Sequence, residues 1–266
     1  MKKSILCVGC GNMMNAIFRH KELSQLANDY FFYNRTYDKA SKLSSFIGGT
    51  AIKDISELKE YDFVFLGVKP QNLDSMEFLK AHLNNKTTIV SLLAAIDLNQ
   101  LQNFFSHKKI VRLMPNLGAF VQEGVYLKID TENVTNEANS LINQILSFSG
   151  ETFELKDEQS FDHLTLFSSC MPGVISNLFD LISKQMTSMN SEEDKKRLLT
   201  KTLIGTAQYL KIEGSSESFN EVTNRVASKG GITQALNASL EKSGLELVFK
   251  KGFESALLRA RELKNL

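Results

Sequence analysis

A chain of 266 residues with 42% hydrophobic and 23% charged side chains can bury one large or two modest cores, with two favoured. Its formal net charge of +1 excludes a global field for nucleic acid or anionic membrane; the densest basic patch, Lys195-Lys196-Arg197, follows Glu192, Glu193 and Asp194 as on a solvated helical face. No apolar run approaches the roughly 18 residues of a bilayer span, and three cysteines, an odd number, fit a reducing cytoplasm better than a disulfide framework.

Met1-Lys2-Lys3 and the apolar run after it superficially resemble a signal peptide, but the run is short and enters Gly9 and Asn12 without a small-residue cleavage site. Residues 4–9 therefore read as a strand. A helix over 12–28, an aromatic strand over 29–34 and a helix over 36–46 follow, with Gly48-Gly49 as the stop. Residues 62–68 read as a buried strand and 71–83 as a helix. Two more strands, 87–93 and 109–114, flank a helix over 98–105. This βαβα alternation predicts a parallel sheet with helices on both faces. After Phe153 strand-like runs vanish, and helical periodicity continues to the end with breaks at 189–190, 213–216, 229–231 and 244. The expected domains are 1–152 and 153–266.

The stretch Ile5 to Ile17 contains both Gly9-x-Gly11 and Cys7-x-x-Cys10. A strand, a glycine turn and a helix N-terminus in that order can hold a pyrophosphate on free N–H groups. Met14 occupies the third glycine position, so the full fingerprint is absent, while Ala16 permits close helix packing. A CxxC site would need about four ligands. Only Cys170 and the scattered His20, His82, His107 and His163 remain, so no metal site is expected and the phosphate turn is preferred.

At the second strand's end, where NAD binders carry a carboxylate, this chain has Asn34-Arg35-Thr36. Nothing there repels a 2′-phosphate, and Arg35 offers a charged fork, which favours NADPH with NADH as the alternative donor. Two of the three prolines follow predicted strands, in Val68-Lys69-Pro70-Gln71 and Met114-Pro115-Asn116. Ligands bind at the carboxyl ends of such strands, so both loops should border the nicotinamide. The residues expected to hold the cofactor are thus Gly9, Cys10, Gly11, Asn12 and Met13, then Asn34, Arg35 and Thr36, then Val68, Lys69 and Pro70, and finally Met114, Pro115 and Asn116.

Taken together, Gly9-Cys10-Gly11-Asn12-Met13 with Ala16, Asn34-Arg35-Thr36, Val68-Lys69-Pro70-Gln71, Arg112-Leu113-Met114-Pro115-Asn116, Ser228-Lys229-Gly230-Gly231-Ile232-Thr233 and Arg261-Glu262-Leu263 resemble the ordered motifs of the pyrroline-5-carboxylate reductase family. The resemblance covers the whole chain. It implies an α/β Rossmann-type N-terminal domain followed by an all-α C-terminal dimerisation domain, and NADPH-dependent reduction of a cyclic imine to L-proline in a cytoplasmic homodimer or larger ring. It also implies that Thr233 places its hydroxyl at the ring nitrogen and that Ser228 to Thr233 bind the substrate carboxylate. Helices of roughly 20–30 residues, too long for a small lone bundle, agree with pairing across a two-fold axis.

Several positions depart from the family. Its glycine-rich turn opening the helical domain reads here Ser169-Cys170-Met171-Pro172-Gly173-Val174, where lost glycines would stiffen the turn. Lys229 replaces a proline, Ala94-Ala95-Ile96 replaces Ala-Ala-Gly, and Leu117-Gly118 replaces Thr-Pro. The alternatives are therefore a reductase of another cyclic imine or small carbonyl acid on the same fold, and a catalytically silent NADP-binding regulatory protein. A β-hydroxyacid dehydrogenase is disfavoured because its catalytic lysine motif is not found.

Overall fold

Runs rich in β-branched and aromatic residues build one sheet. The computed structural model describes residues 2–26 and 28–264. Its strands are β1 (Ser4–Val8), β2 (Asp29–Tyr33), β3 (Thr50–Ile52), β4 (Phe63–Leu66), β5 (Thr88–Ser91), β6 (Ile110–Met114), β7 (Gly124–Asp130) and β8 (Gly150–Glu154), in the order β3-β2-β1-β4-β5-β6-β7-β8. Helices α1 (Asn12–Phe18), α2 (Tyr37–Ile47), α3 (Leu98–Phe105) and α4 (Asn136–Ser147) connect them.

The two-residue period of β1 divides the core. Ile5 and Cys7 face Phe18, Leu43 and Ile142 of α1, α2 and α4, whereas Leu6 and Val8 face Leu79, Leu101 and Phe105 on the other side. Helical layers thus cover both faces, as the alternation predicts. The sheet is not wholly parallel, however, because β7 runs antiparallel to β6. Residues 115–123 join them through a single 3-10 turn, Leu117–Val121, which is too short for the crossover that a parallel pair needs.

Two expected helices are also shorter or tighter than the apolar pattern suggests. The first ends at Phe18, where the buried His20 ring meets the Ala16 carbonyl through Nε2 at 2.9 Å, and a 3-10 turn takes over at Lys21–Leu26. Over the predicted 71–83 helix the chain forms 3-10 turns, Pro70–Asn72 and Asp74–His82.

After β8, α5 (Glu158–Thr165), a π turn (Leu166–Cys170) and α6 (Met171–Ser183) form one continuous helix. The stretch Ser169–Val174, expected as a turn, is therefore helical. Its irregularity has a local cause: Pro172 has no N–H for the carbonyl four residues back, and its ring crowds that carbonyl, so the helix widens over the preceding turn. This 26-residue helix has the length and apolarity of a bilayer span, although no uninterrupted apolar run of that length exists in the sequence. Its first turns are instead anchored on the sheet. Phe161 joins Met114, Leu127 and Ile129, and the guanidinium of Arg112, only 1% exposed, lies 4.2 Å over the Phe161 ring and pairs with Glu158.

The chain divides into two compact units. One compact unit extends to Pro172 and includes Arg259 onward, and the other spans Gly173–Leu258. The expected boundary after residue 152 falls within β8, ahead of α5. The second unit contains most of α6, then α7 (Glu192–Ile212), α8 (Phe219–Val226), α9 (Ile232–Lys242) and the start of α10 (Leu245–Lys264). Among its described residues Val222 is the one buried apolar side chain, while Ile182, Leu198, Ile204, Leu236 and Val248 are exposed. Such a surface requires a partner to cover it.

Candidate dinucleotide and substrate sites

β1 ends in a turn that only glycine can make. Gly9 has φ +87°, its N–H donates to the Tyr33 carbonyl at 2.9 Å, and Gly11 caps α1 with extended backbone. No side chain caps α1, so the first N–H groups of that helix have no side-chain acceptor. The turn lies against the end of β4, where a Cβ on Gly9 would stand 2.8 Å from the Gly67 carbonyl carbon. A Cβ on Gly11 would meet nothing nearer than the Gly67 oxygen at 3.8 Å, so that side of the cradle is open. Gly67 also resolves the missing third glycine: the fully buried Met14 side chain occupies the space that Gly67 leaves.

The neighbouring thiols belong to Cys7 and Cys10. Both are buried; burial pushes Cys10 up to about 12, and burial, then the Cys10 charge, pushes Cys7 well above its ordinary range. No cluster of three or more metal-ligating His, Cys, Asp or Glu side chains occurs among the described residues.

Asn34 has a structural task. Its Oδ1 accepts from the Cys10 N–H at 3.0 Å and its Nδ2 donates to the Thr36 carbonyl at 2.9 Å, tying the end of β2 to the glycine turn. Arg35 and Thr36 are exposed beside it, and Arg35 makes no ion pair among the described residues. Val68 lies against Gly9, Lys69 is exposed, and Pro70 starts a 3-10 turn. After β5, Ala95 adopts φ +62°, a left-handed conformation that costs an alanine about 1–2 kcal/mol.

At the end of β6, Met114 and Pro115 are buried. The Oδ1 of Asn116 accepts from the N–H groups of Gly118 and Val125, each at 3.0 Å, and its Nδ2 donates to the Ser168 carbonyl at 3.1 Å. Ser169 Oγ donates to the Pro115 carbonyl at 3.2 Å. The polar atoms of Asn116, like those of Asn34, are thus engaged within the protein. The four loops follow β1, β2, β4 and β6, all parallel, and therefore share one edge of the sheet.

Residues 228–233 belong to the second unit. Gly230 has φ +74°, and Gly231 caps α9 without a side-chain bond. The Gly231 N–H donates to the Ser228 carbonyl at 2.8 Å, and that of Gly230 to Gln234 Oε1 at 2.7 Å. A Cβ on Gly231 would meet Ser228 Oγ at 2.5 Å. Thr233 is half-buried in the first turn of α9, whereas Ser228, Lys229 and Ile232 are exposed. The uncapped N–H groups there can receive an anion. Sequence reasoning did not single out Gly67 or Ser168, because their importance lies in backbone atoms.

Residues 158–263 match the model described as pyrroline-5-carboxylate reductase dimerisation. Pyrroline-5-carboxylate reductases of Staphylococcus aureus and Staphylococcus haemolyticus are each 27% identical to the chain; the first match covers 97% of both chains, the second 97% of this chain and 96% of the relative. Among solved structures, the pyrroline-5-carboxylate reductase of Coxiella burnetii superposes with a TM-score of 0.86 at 23% identity, covering 99% of each chain. The Plasmodium falciparum enzyme with NADP bound gives 0.83 at 21%, covering 98% of each. These structures establish the fold: a Rossmann-type α/β domain followed by a helical one.

Proposed function

We propose, from the chain's membership of the pyrroline-5-carboxylate reductase family, that it reduces the cyclic imine L-1-pyrroline-5-carboxylate to L-proline with NADPH, the last step of proline biosynthesis. The observation that carries this reading is the similarity to curated reductases over 97% of the chain. By this reading 1–152 is the dinucleotide-binding domain and 153–266 the domain for substrate binding and dimerisation, a functional division distinct from the compact units, which part at Pro172.

The residues present fit the cofactor. The Gly9–Gly11 cradle and the uncapped start of α1 suit a pyrophosphate, exposed Arg35 and Thr36 suit a 2′-phosphate, and the loops at Val68–Pro70 and Met114–Asn116 border the ring. NADPH supplies the hydride when bound. The protein then has little covalent work to do, because a protonated imine is already electrophilic and positioning supplies much of the rate. The N–H groups at the start of α9 bind the substrate carboxylate, with Lys229 as a nearby point charge. The Thr233 hydroxyl orients the ring nitrogen.

The exposed apolar side chains of α7, α9 and α10 support a homodimer as the smallest assembly. Free, buried Cys7 and Cys10 suit the cytoplasm. A second reading, reduction of another cyclic imine, draws on Lys229 standing where the family carries proline. The test is product formation: purified protein given NADPH and the imine yields L-proline, and a protein that binds NADPH and yields none overturns the proposal.

A further inference from the structure

The long helix running from α5 into α6 touches the end of β6 at one irregular place. Pro172 cannot provide the N–H that an α-helix would direct at the Ser168 carbonyl, and that carbonyl accepts from Asn116 Nδ2 at 3.1 Å. One residue on, Ser169 Oγ reaches back to the Pro115 carbonyl at 3.2 Å. The other end of the Asn116 amide accepts from Gly118 and Val125, so the loop is held to β7 as well. Two buried residues, Met114 and Pro115, are thus fixed between the sheet and the π turn.

We propose that Asn116 and Ser169 are positioning residues for hydride transfer, clamping the Met114–Asn116 loop to the π turn that Pro172 imposes. The inference rests on the reductase reading, which puts the reacting ring at this strand end. Neither side chain touches the reacting atoms. Each acts by denying the loop a shift, and a displacement of about 1 Å at a reacting centre costs about a hundredfold in rate.

Two variants separate this role from simple stability. Asn116→Asp keeps an acceptor for Gly118 and Val125 and replaces the donor to Ser168 with a carboxylate oxygen that repels that carbonyl. Ser169→Ala removes only the bond to Pro115. Each is expected to lower kcat about tenfold, and Ser169→Ala is expected to leave the NADPH Kd and the imine KM within about twofold of wild type. Slower hydride transfer also raises the primary isotope effect measured with 4-deuterated NADPH, and Ser169→Thr restores both values. Loss of folded protein alone would lower the apparent kcat and leave the isotope effect unchanged, which overturns the proposal. An unaltered kcat and isotope effect in Ser169→Ala would overturn it too, while leaving the reductase reading intact. A wild-type protein that turns over no imine overturns both.

Discussion

Gly9 and Gly67 meet backbone to backbone. A Cβ on Gly67 would stand 2.6 Å from the Gly9 carbonyl oxygen, and one on Gly9 would stand 2.8 Å from the Gly67 carbonyl carbon. The turns after β1 and β4 therefore approach as closely as two chains can, and Gly9 is left-handed as well. Gly9→Ala is expected to cost at least about 1–2 kcal/mol for the left-handed conformation alone, before the clash is counted. A urea midpoint measures the stability loss, and an NADPH titration should show binding lost with it. A variant with wild-type midpoint and affinity would remove the cradle from the account.

Arg35 is exposed at the end of β2, with no carboxylate in the Asn34-Arg35-Thr36 segment. On the proposed function its charge meets the cofactor's 2′-phosphate. Arg35→Asp is expected to weaken NADPH about tenfold or more and NADH far less, the scale of a lost charge-assisted bond. Measuring both Kd values at two salt concentrations checks this, since an exposed pair is screened. An unchanged preference contradicts the 2′-phosphate assignment.

The five strands of the expected alternation, β1, β2, β4, β5 and β6, were readable because each is a short, largely apolar run. β3, only three residues long, β7 and β8 were not. β7 contains Lys128, which is 2% exposed and acceptable there only because Asn139, Asn143 and Glu154 surround its ammonium at 2.8–3.1 Å. A buried lysine reads as a surface residue until its partners are known. β8 alternates so weakly, with Glu151 and Glu154 exposed, that nothing marks it as a strand. In the candidate site, the glycine turns were legible from spacing. The tasks of Asn34 and Asn116 were not, since both serve backbone groups of other loops, and the irregular helix at Leu166–Cys170 follows from one proline in an otherwise helical run.

The Glu158 carboxylate holds together three elements. Its Oε2 pairs with the buried Arg112, and its Oε1 accepts from the Leu98 N–H at 2.7 Å at the start of α3. Glu158→Ala leaves that guanidinium with Asp162, whose Oδ1 lies 3.7 Å away. The expected cost is about 3 kcal/mol, near the low end for an unpaired buried charge because Asp162 remains. Chemical denaturation measures it; a loss below about 1 kcal/mol would place the pair with ordinary surface bridges.

Thr233 sits in the first turn of α9, where no side chain caps the helix. Thr233→Ala is expected to reduce turnover about ten- to a hundredfold, as for loss of one aimed donor, with NADPH affinity retained. Thr233→Ser should recover most of the rate. If turnover and affinity both stayed at wild type, Thr233 would be an ordinary first-turn residue.

The central claim is tested most directly by the initial rate of NADPH oxidation by the purified protein with L-1-pyrroline-5-carboxylate, repeated with NADH. Imine-dependent oxidation with L-proline as product, and a higher kcat/KM for NADPH than for NADH, is the expected result. Tight NADPH binding with no imine-dependent oxidation would contradict it and leave a nucleotide-binding protein without this reaction.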